Sequence, residues 1–344
     1  MKQNQNKQID LKSIPVAEYL LSIGEPLVQI SNFYYQHKEH DSLKVNTKHN
    51  YFVWNSRRAE KNSYGGVAQY LMIMYELTFV EALKKITADF NNTNFELVKI
   101  PEKKYPKNFY YRVKESHKSL QLKRYLMAKR KISARVVDLF MKQDLIAMNN
   151  KDEIIFKWYR DSKIVGFSKQ GTQKLTEEEK NKYHYKRDYL KYVAPTTKKD
   201  TYWGFNFLVG KPLNLYFFEG GVDLMSFLSL YYEDLMNKGD FWLIFTDGVV
   251  GEKIYSFIAA ANQMLNDSDY DIESLHCCYD NDKTGSEMLA FLQTRQYSRK
   301  DQKKVQWTDN IPPLRREEET ADWNSEIVYQ SEIAGKGEKN EKSN

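Results

Sequence analysis

Three carboxylates in this 344-residue chain stand where they could act on one ion. The stretch "SLHCCYDNDKTGSEML" carries an apolar run, Leu275 to Tyr279, into Asp280-Asn281-Asp282 and then Lys-Thr-Gly. Upstream, "LNLYFFEGGVDLM" ends another apolar run in Glu219, followed by Gly220, Gly221 and Asp223. Two carboxylates at i and i+2 repel each other unless a positive charge sits between them. Hard oxygen ligands without histidine or cysteine select Mg2+ or Mn2+ rather than zinc. Taken singly, Asp280 or Asp282 could do no more than cap the next helix.

For the three to meet, the chain must bring two strand ends together. From Pro212 onward apolar strands alternate with helices: "LNLYFFEGG" and "VDLMSFLSLYYEDLM", "DFWLIFTDG" and "GEKIYSFIAAANQML", "ESLHCCYDND" and "TGSEMLAFLQTRQY". Such alternation predicts a parallel sheet, in which functional residues gather at the carboxyl ends of the strands. If the first and third strands are neighbours, Glu219, Asp280 and Asp282 share one rim. Gly220 frees the backbone beside Glu219, and Gly285 relieves crowding beside the aspartates.

The remainder of the chain reads differently. "IPVAEYLLSIG" predicts a short helix with Pro15 in its first turn and Gly24 as its stop. "SNFYYQ", "DSLKVN" and "NYFVWN" predict a small antiparallel sheet. "VAQYLMIMYELTFVEALKKI" has helical spacing, with Thr78 and Glu81 as a capping box. A polar, basic linker follows over 101–118, then two helices, a hairpin ("DEIIFKWY" and "KIVGFSKQG") and a segment dense in lysine and tyrosine. The expected division is 1–100, the linker, 119–210, 211–330 and a disordered tail over 331–344, with an α+β N-terminal part ahead of an α/β domain.

Composition sets bounds. With 41% hydrophobic residues the chain can build real cores, and no run of about 18 apolar residues suggests a membrane span. The start, "MKQNQNKQIDLKS", lacks the apolar stretch of a secretory signal. The two cysteines, Cys277 and Cys278, are adjacent and point to opposite faces of a strand, so neither a disulfide framework nor a metal knuckle is expected. These features predict a cytoplasmic protein. A net charge of +6 barely favours nucleic acid over an ordinary lysine-rich surface.

Glu219-Gly220-Gly221-Val222-Asp223 and "YDNDKTG" together resemble the two signature motifs of the TOPRIM domain. That domain is shared by bacterial-type primases, topoisomerases, recombination proteins and a class of nucleases. By this resemblance Glu219 binds metal or helps move a proton, and Asp280 and Asp282 hold Mg2+. Asp223 fixes the loop or caps the helix. "ADWN" resembles a later acidic element of primase-like members, which offers Asp322 as a further ligand. The N-terminal pieces resemble, in order, the zinc ribbon of bacterial primases without its cysteines. No zinc is therefore expected, and an aromatic core of Phe33, Tyr35, Phe52 and Trp54 takes its place. "RYLMAKRKISARVVDLF" and "KIVGFSKQGT" resemble the segments ahead of the primase core, with Gln170 where the family often has arginine.

The resemblance to TOPRIM primase-like proteins of plasmids and conjugative elements implies RNA-primer synthesis on single-stranded DNA from NTPs. Partners of that activity would include a helicase, a relaxase or another replication protein, and no membrane. Lys169, Lys186, Arg187, Lys191, Lys198 and Lys199 are candidates to hold template or triphosphate. Tyr192 and Trp203 are candidates to stack on bases. The alternatives are a metal-dependent TOPRIM nuclease and a DNA-binding accessory protein with an inactive site.

Overall fold

The computed structural model describes residues 10–30, 33–100, 105–116, 119–183, 187–315 and 318–341. The chain divides into two compact units, 1–104 and 105–344.

In the first unit, Pro15 precedes helix α1 (Val16–Ser22), and Gly24, at φ +89°, takes the left-handed turn after it. Five strands follow in antiparallel order: β1 (Leu27–Gln29), β2 (Tyr34–His37), β3 (Leu43–Asn46), β4 (Tyr51–Trp54) and β5 (Tyr64–Gly65). Period-2 alternation puts Tyr35, Leu43, Val45, Phe52 and Trp54 inward. They pack with α1, α2 (Val67–Met74) and α3 (Phe79–Asn91) into one core. Of the expected aromatic core, Tyr35, Phe52 and Trp54 are buried. Phe33 is only half-buried, with the Lys48 ammonium 5.9 Å from its ring. The capping box at α3 forms: Glu81 N donates to Thr78 Oγ1 at 3.3 Å, and Thr78 N donates to Glu81 Oε2 at 2.8 Å.

In the second unit, α4 (Ser119–Lys123) runs into one π-helical turn over Arg124–Lys129, and α5 (Ala134–Lys142) follows Ser133. A four-stranded antiparallel sheet comes next: β6 (Ile146–Met148), β7 (Glu153–Arg160), β8 (Lys163–Lys174) and, after α6 (Glu177–Tyr183), β9 (Tyr189–Val193). Asp161 and Ser162 join β7 to β8 with φ of 49° and 61°, the backbone of a two-residue hairpin turn.

The alternating region then builds β10 (Phe205–Val209), β11 (Asn214–Phe218), α7 (Gly221–Leu230), α8 (Tyr232–Lys238), β12 (Phe241–Phe245), α9 (Gly251–Leu265), β13 (Ser274–Cys277) and α10 (Lys283–Gln293). A short hairpin, β14 (Tyr297–Ser298) and β15 (Lys304–Val305), precedes β16 (Trp307–Asp309) and α11 (Trp323–Glu341). The five-stranded sheet has the order β10-β12-β11-β13-β16, with β10 antiparallel to β12 and the other pairs parallel. All five residues of β12 are buried, as a central strand covered on both faces requires.

Thus the molecule is mixed α/β with a partly parallel sheet. Two expected boundaries shift. Strand β10, at 205–209, belongs to the large sheet, and one hydrophobic core runs from Leu122 to Trp323, so position 210 lies inside a single unit. Helix α11 continues to Glu341 through residues expected to be disordered. Among the described residues, no helix is long and apolar enough to cross a membrane.

Candidate functional site

Parallel pairing of β11 with β13 runs from Asn214↔Ser274 to Phe217↔Cys277, and Cys278 N donates to Phe217 O at 2.8 Å. Glu219 and Asp280 therefore leave neighbouring strands at the same end. Asn281 exchanges backbone hydrogen bonds with Ala321 (2.7 and 3.2 Å), which carries Asp322 to that rim. Asp223 sits in the first turn of α7 and accepts a hydrogen bond from the Asn324 backbone.

The carboxyls feel one another. Burial pushes Asp280 up to about 9, and Asp223, Glu219 and Asp322 push the same way while Lys191 opposes them. Burial raises Asp223 to about 7, assisted by Asp322 and Glu219 and opposed by Lys191. Glu219 is raised too, by burial first, with Lys191 opposing and Asp282 and Asp322 adding to the rise. The same lysine acts on all three, so the site gathers more negative charge than its cation balances.

Local packing fixes the rim. A Cβ on Gly285 would lie 2.0 Å from Asp280 O, so α10 can begin against that carbonyl only with glycine there. A Cβ on Gly220 would lie 2.8 Å from Asp223 Oδ2. One oxygen of Asp282 caps α10, accepting from Gly285 N at 2.8 Å. One oxygen of Asp322 accepts from Ser325 N at 2.6 Å. Asp280 differs: its Oδ1 is buried and has no hydrogen-bond partner.

An unpaired buried carboxylate oxygen among further acids is a donor set that fits Mg2+ or Mn2+. Among the described residues, the carboxylate oxygens do not close to within 4.8 Å as a trio. Mg2+ keeps several waters and is often held by one or two carboxylates, so wider spacing suits it.

Glu219 itself lines a cavity of about 230 Å³, together with Lys169, Gln170, Arg187, Lys191, Tyr192 and Asp247, among others. Strand β9 and the segment before it thus bring part of the expected basic set to the acids. Lys169 arrives already paired, 2.9 Å from the carboxylate of buried Glu153. Two expectations are corrected. Trp203 is no stacking platform: it is buried, lies 4.2 Å from the Phe257 ring and donates from Nε1 to Tyr159 O at 2.8 Å. Lys199 lines a different cavity, of about 1050 Å³, with Tyr159 and Trp203, and Lys198 is exposed beside it in sequence. Lys186 lies outside the described residues.

Sequence reading missed two groups. Arg130 donates to Asn324 Oδ1 at 3.1 Å and to Tyr125 Oη at 2.8 Å, which fixes a guanidinium beside the Asp322 segment. The basic pair Lys129-Arg130 in "RYLMAKRKIS" was its signal. Asp247, two residues beyond β12, lines the same cavity as Glu219, and its carboxylate pairs with buried Lys253 at 2.7 Å. In the first unit, ligand atoms of His37, Glu39 and His40 lie within 4.8 Å of one another. His37 already uses both ring nitrogens: Nε2 meets Glu25 Oε2 at 3.1 Å and Nδ1 accepts from Glu39 N at 3.2 Å.

Residues 124–193 match a family described as a protein of unknown function, DUF3991. That segment holds Arg130 and the basic side of the cavity; the acids lie outside it. The chain is also similar, at 28% identity over 320 residues, to an uncharacterized plasmid-encoded protein of Bacillus anthracis. The match spans 91% of this chain and 86% of that protein.

Proposed function

We propose that the second unit is a TOPRIM-type, primase-like nucleotidyltransferase that makes RNA primers on single-stranded DNA for a mobile element. The observation that carries this reading is the convergence of Glu219, Asp280 and Asp322 on one sheet rim, where Asp280 Oδ1 lacks a partner. Glu219, Asp280 and Asp282 would hold Mg2+ or Mn2+, with Asp322 beside them. A bound divalent ion supplies alignment and charge neutralisation for a nucleotide's phosphates. Lys191 and Arg187 line the cavity beside Glu219 and would hold the phosphate or template backbone as point and fork charges. Tyr192, 42% exposed in the same cavity, would stack on a base. The plasmid-encoded relative accords with a mobile element.

The test is primer synthesis with labelled NTPs and Mg2+ on several single-stranded templates, beside the Asp280→Ala protein. No product on any template would count against the reading. One observation favours a second reading, a DNA-binding accessory protein: Gln170 lines the cavity, at the position where the primase-like proteins that this sequence resembles often have arginine. Insensitivity of both stability and DNA binding to Mg2+ would select it.

A further inference from the structure

Beneath the acids, three strand ends are tied by side-chain hydroxyls. Tyr279, immediately before Asp280, is fully buried, and its hydroxyl lies 2.9 Å from Thr246 Oγ1. Thr246, equally buried, follows β12. Its Oγ1 lies 2.6 Å from Gly248 O and 3.2 Å from Phe218 O, and its N donates to Phe218 O at 3.0 Å. Gly248 N donates in turn to Glu219 O at 3.0 Å.

Proton bookkeeping orients the chain. A threonine hydroxyl has one proton. Phe218 O already accepts from Thr246 N, and Gly248 O is the nearer acceptor, so the proton goes to Gly248 O. Tyr279 must then donate to Thr246 Oγ1. An ordinary phenol keeps its proton at neutral pH, so the donor is in place. The turn it closes is specific: Asp247 and Gly248 have φ of 57° and 103°, and the Asp247 carboxylate is held by Lys253 at 2.7 Å.

We propose that Thr246 and Tyr279 are positioning residues, whose hydroxyl bridge sets the spacing of the Glu219 and Asp280 carboxylates for a divalent ion. The inference rests on the metal-binding reading of that rim. The bridge runs Tyr279 to Thr246 to the Gly248 carbonyl, while the Gly248 amide holds Glu219; one turn therefore fixes both acid-bearing strand ends. Outer-shell partners of this kind commonly govern metal affinity about tenfold or more.

The test titrates Mn2+ into the full chain, reading bound ion by electron paramagnetic resonance and fold by circular dichroism melting. Thr246→Val removes the hydroxyl at nearly constant shape, Tyr279→Phe removes the donor, and Thr246→Ser restores the bridge. Tyr279→Phe and Thr246→Val should each weaken Mn2+ binding about tenfold. The double variant should be little worse than either single, because both break one chain. Thr246→Ser should bind like the parent. If Thr246→Val fails to fold, Tyr279→Phe and Thr246→Ser carry the comparison. Folded Tyr279→Phe with parental Mn2+ affinity overturns the bridge alone. A parent protein that binds no Mn2+ overturns the metal reading, and the bridge's role with it.

Discussion

Both units bury carboxylates, and they treat them in opposite ways. In the first unit, Glu25 is 8% exposed, and each oxygen has a partner: the His37 ring at 3.1 Å and the Tyr75 hydroxyl. In the second, Asp280 faces other acids, has an oxygen with no partner and is pushed up to about 9. A buried acid with its bonds made is a structural cross-link, and one left unsatisfied costs stability unless a ligand completes it. The contrast teaches which cluster to read as architecture and which as a site.

The comparison breaks first at the acids themselves. Asp280→Ala or Glu219→Ala should cut the proposed primer synthesis by about 10²–10³-fold or more, as when a group that stabilises developing charge is lost. The proteins should stay folded, because neither side chain completes the core. Retained synthesis in either variant removes the rim from the chemistry.

On the structural side, His37→Ala leaves Glu25 buried without its ring partner. A buried carboxylate oxygen left without its hydrogen bond costs about 1–3 kcal/mol, here confined to unfolding of the first unit. Denaturant unfolding followed by a probe in each unit checks this. An unchanged first-unit midpoint would make the Glu25–His37 contact incidental.

A third prediction separates packing from binding. Trp203→Ala should cost about 3–5 kcal/mol of stability through a core cavity. Tyr192→Ala should leave stability near the parent's and weaken the proposed single-stranded DNA binding by about 1–3 kcal/mol. Melting curves and fluorescence anisotropy with an oligonucleotide resolve the two. Equal stability losses would place Tyr192 in the core as well.

The smallest effect is on pH. Asp280 has a folded value near 9 against 3.8 when unfolded, so the folded chain holds a proton that the unfolded chain has released. Stability without metal is therefore lost as pH rises through that window. A divalent ion that favours the charged carboxylate should restore it, so the rise in melting temperature on adding Mg2+ should grow from pH 6 to pH 9. A flat or falling increment would contradict the raised acid.

Much of this was legible locally. The ends of β11 and β13 are written as apolar runs that stop in Glu219 and in Asp280-Asn281-Asp282, and α3 announces its start with Thr78 and Glu81. Those features depend on neighbours in sequence, so sequence carries them. Trp203 shows the limit: an aromatic among lysines reads as a stacking ring until Phe257, far along the chain, covers it. Lys169 likewise reads as a spare cation until Glu153 across the β7–β8 hairpin neutralises it.

Sequence by itself determined which acids end strands, which glycines sit beside them and where helices begin, because backbone sterics, caps and hydrophobic period act over a few residues. Only the tertiary structure decided that β11 and β13 are neighbours, that the Asn281–Ala321 bridge delivers Asp322, and that Thr246 meets Tyr279. Strand order and burial arise from side chains far apart in the chain competing to leave water, and no short window contains that contest.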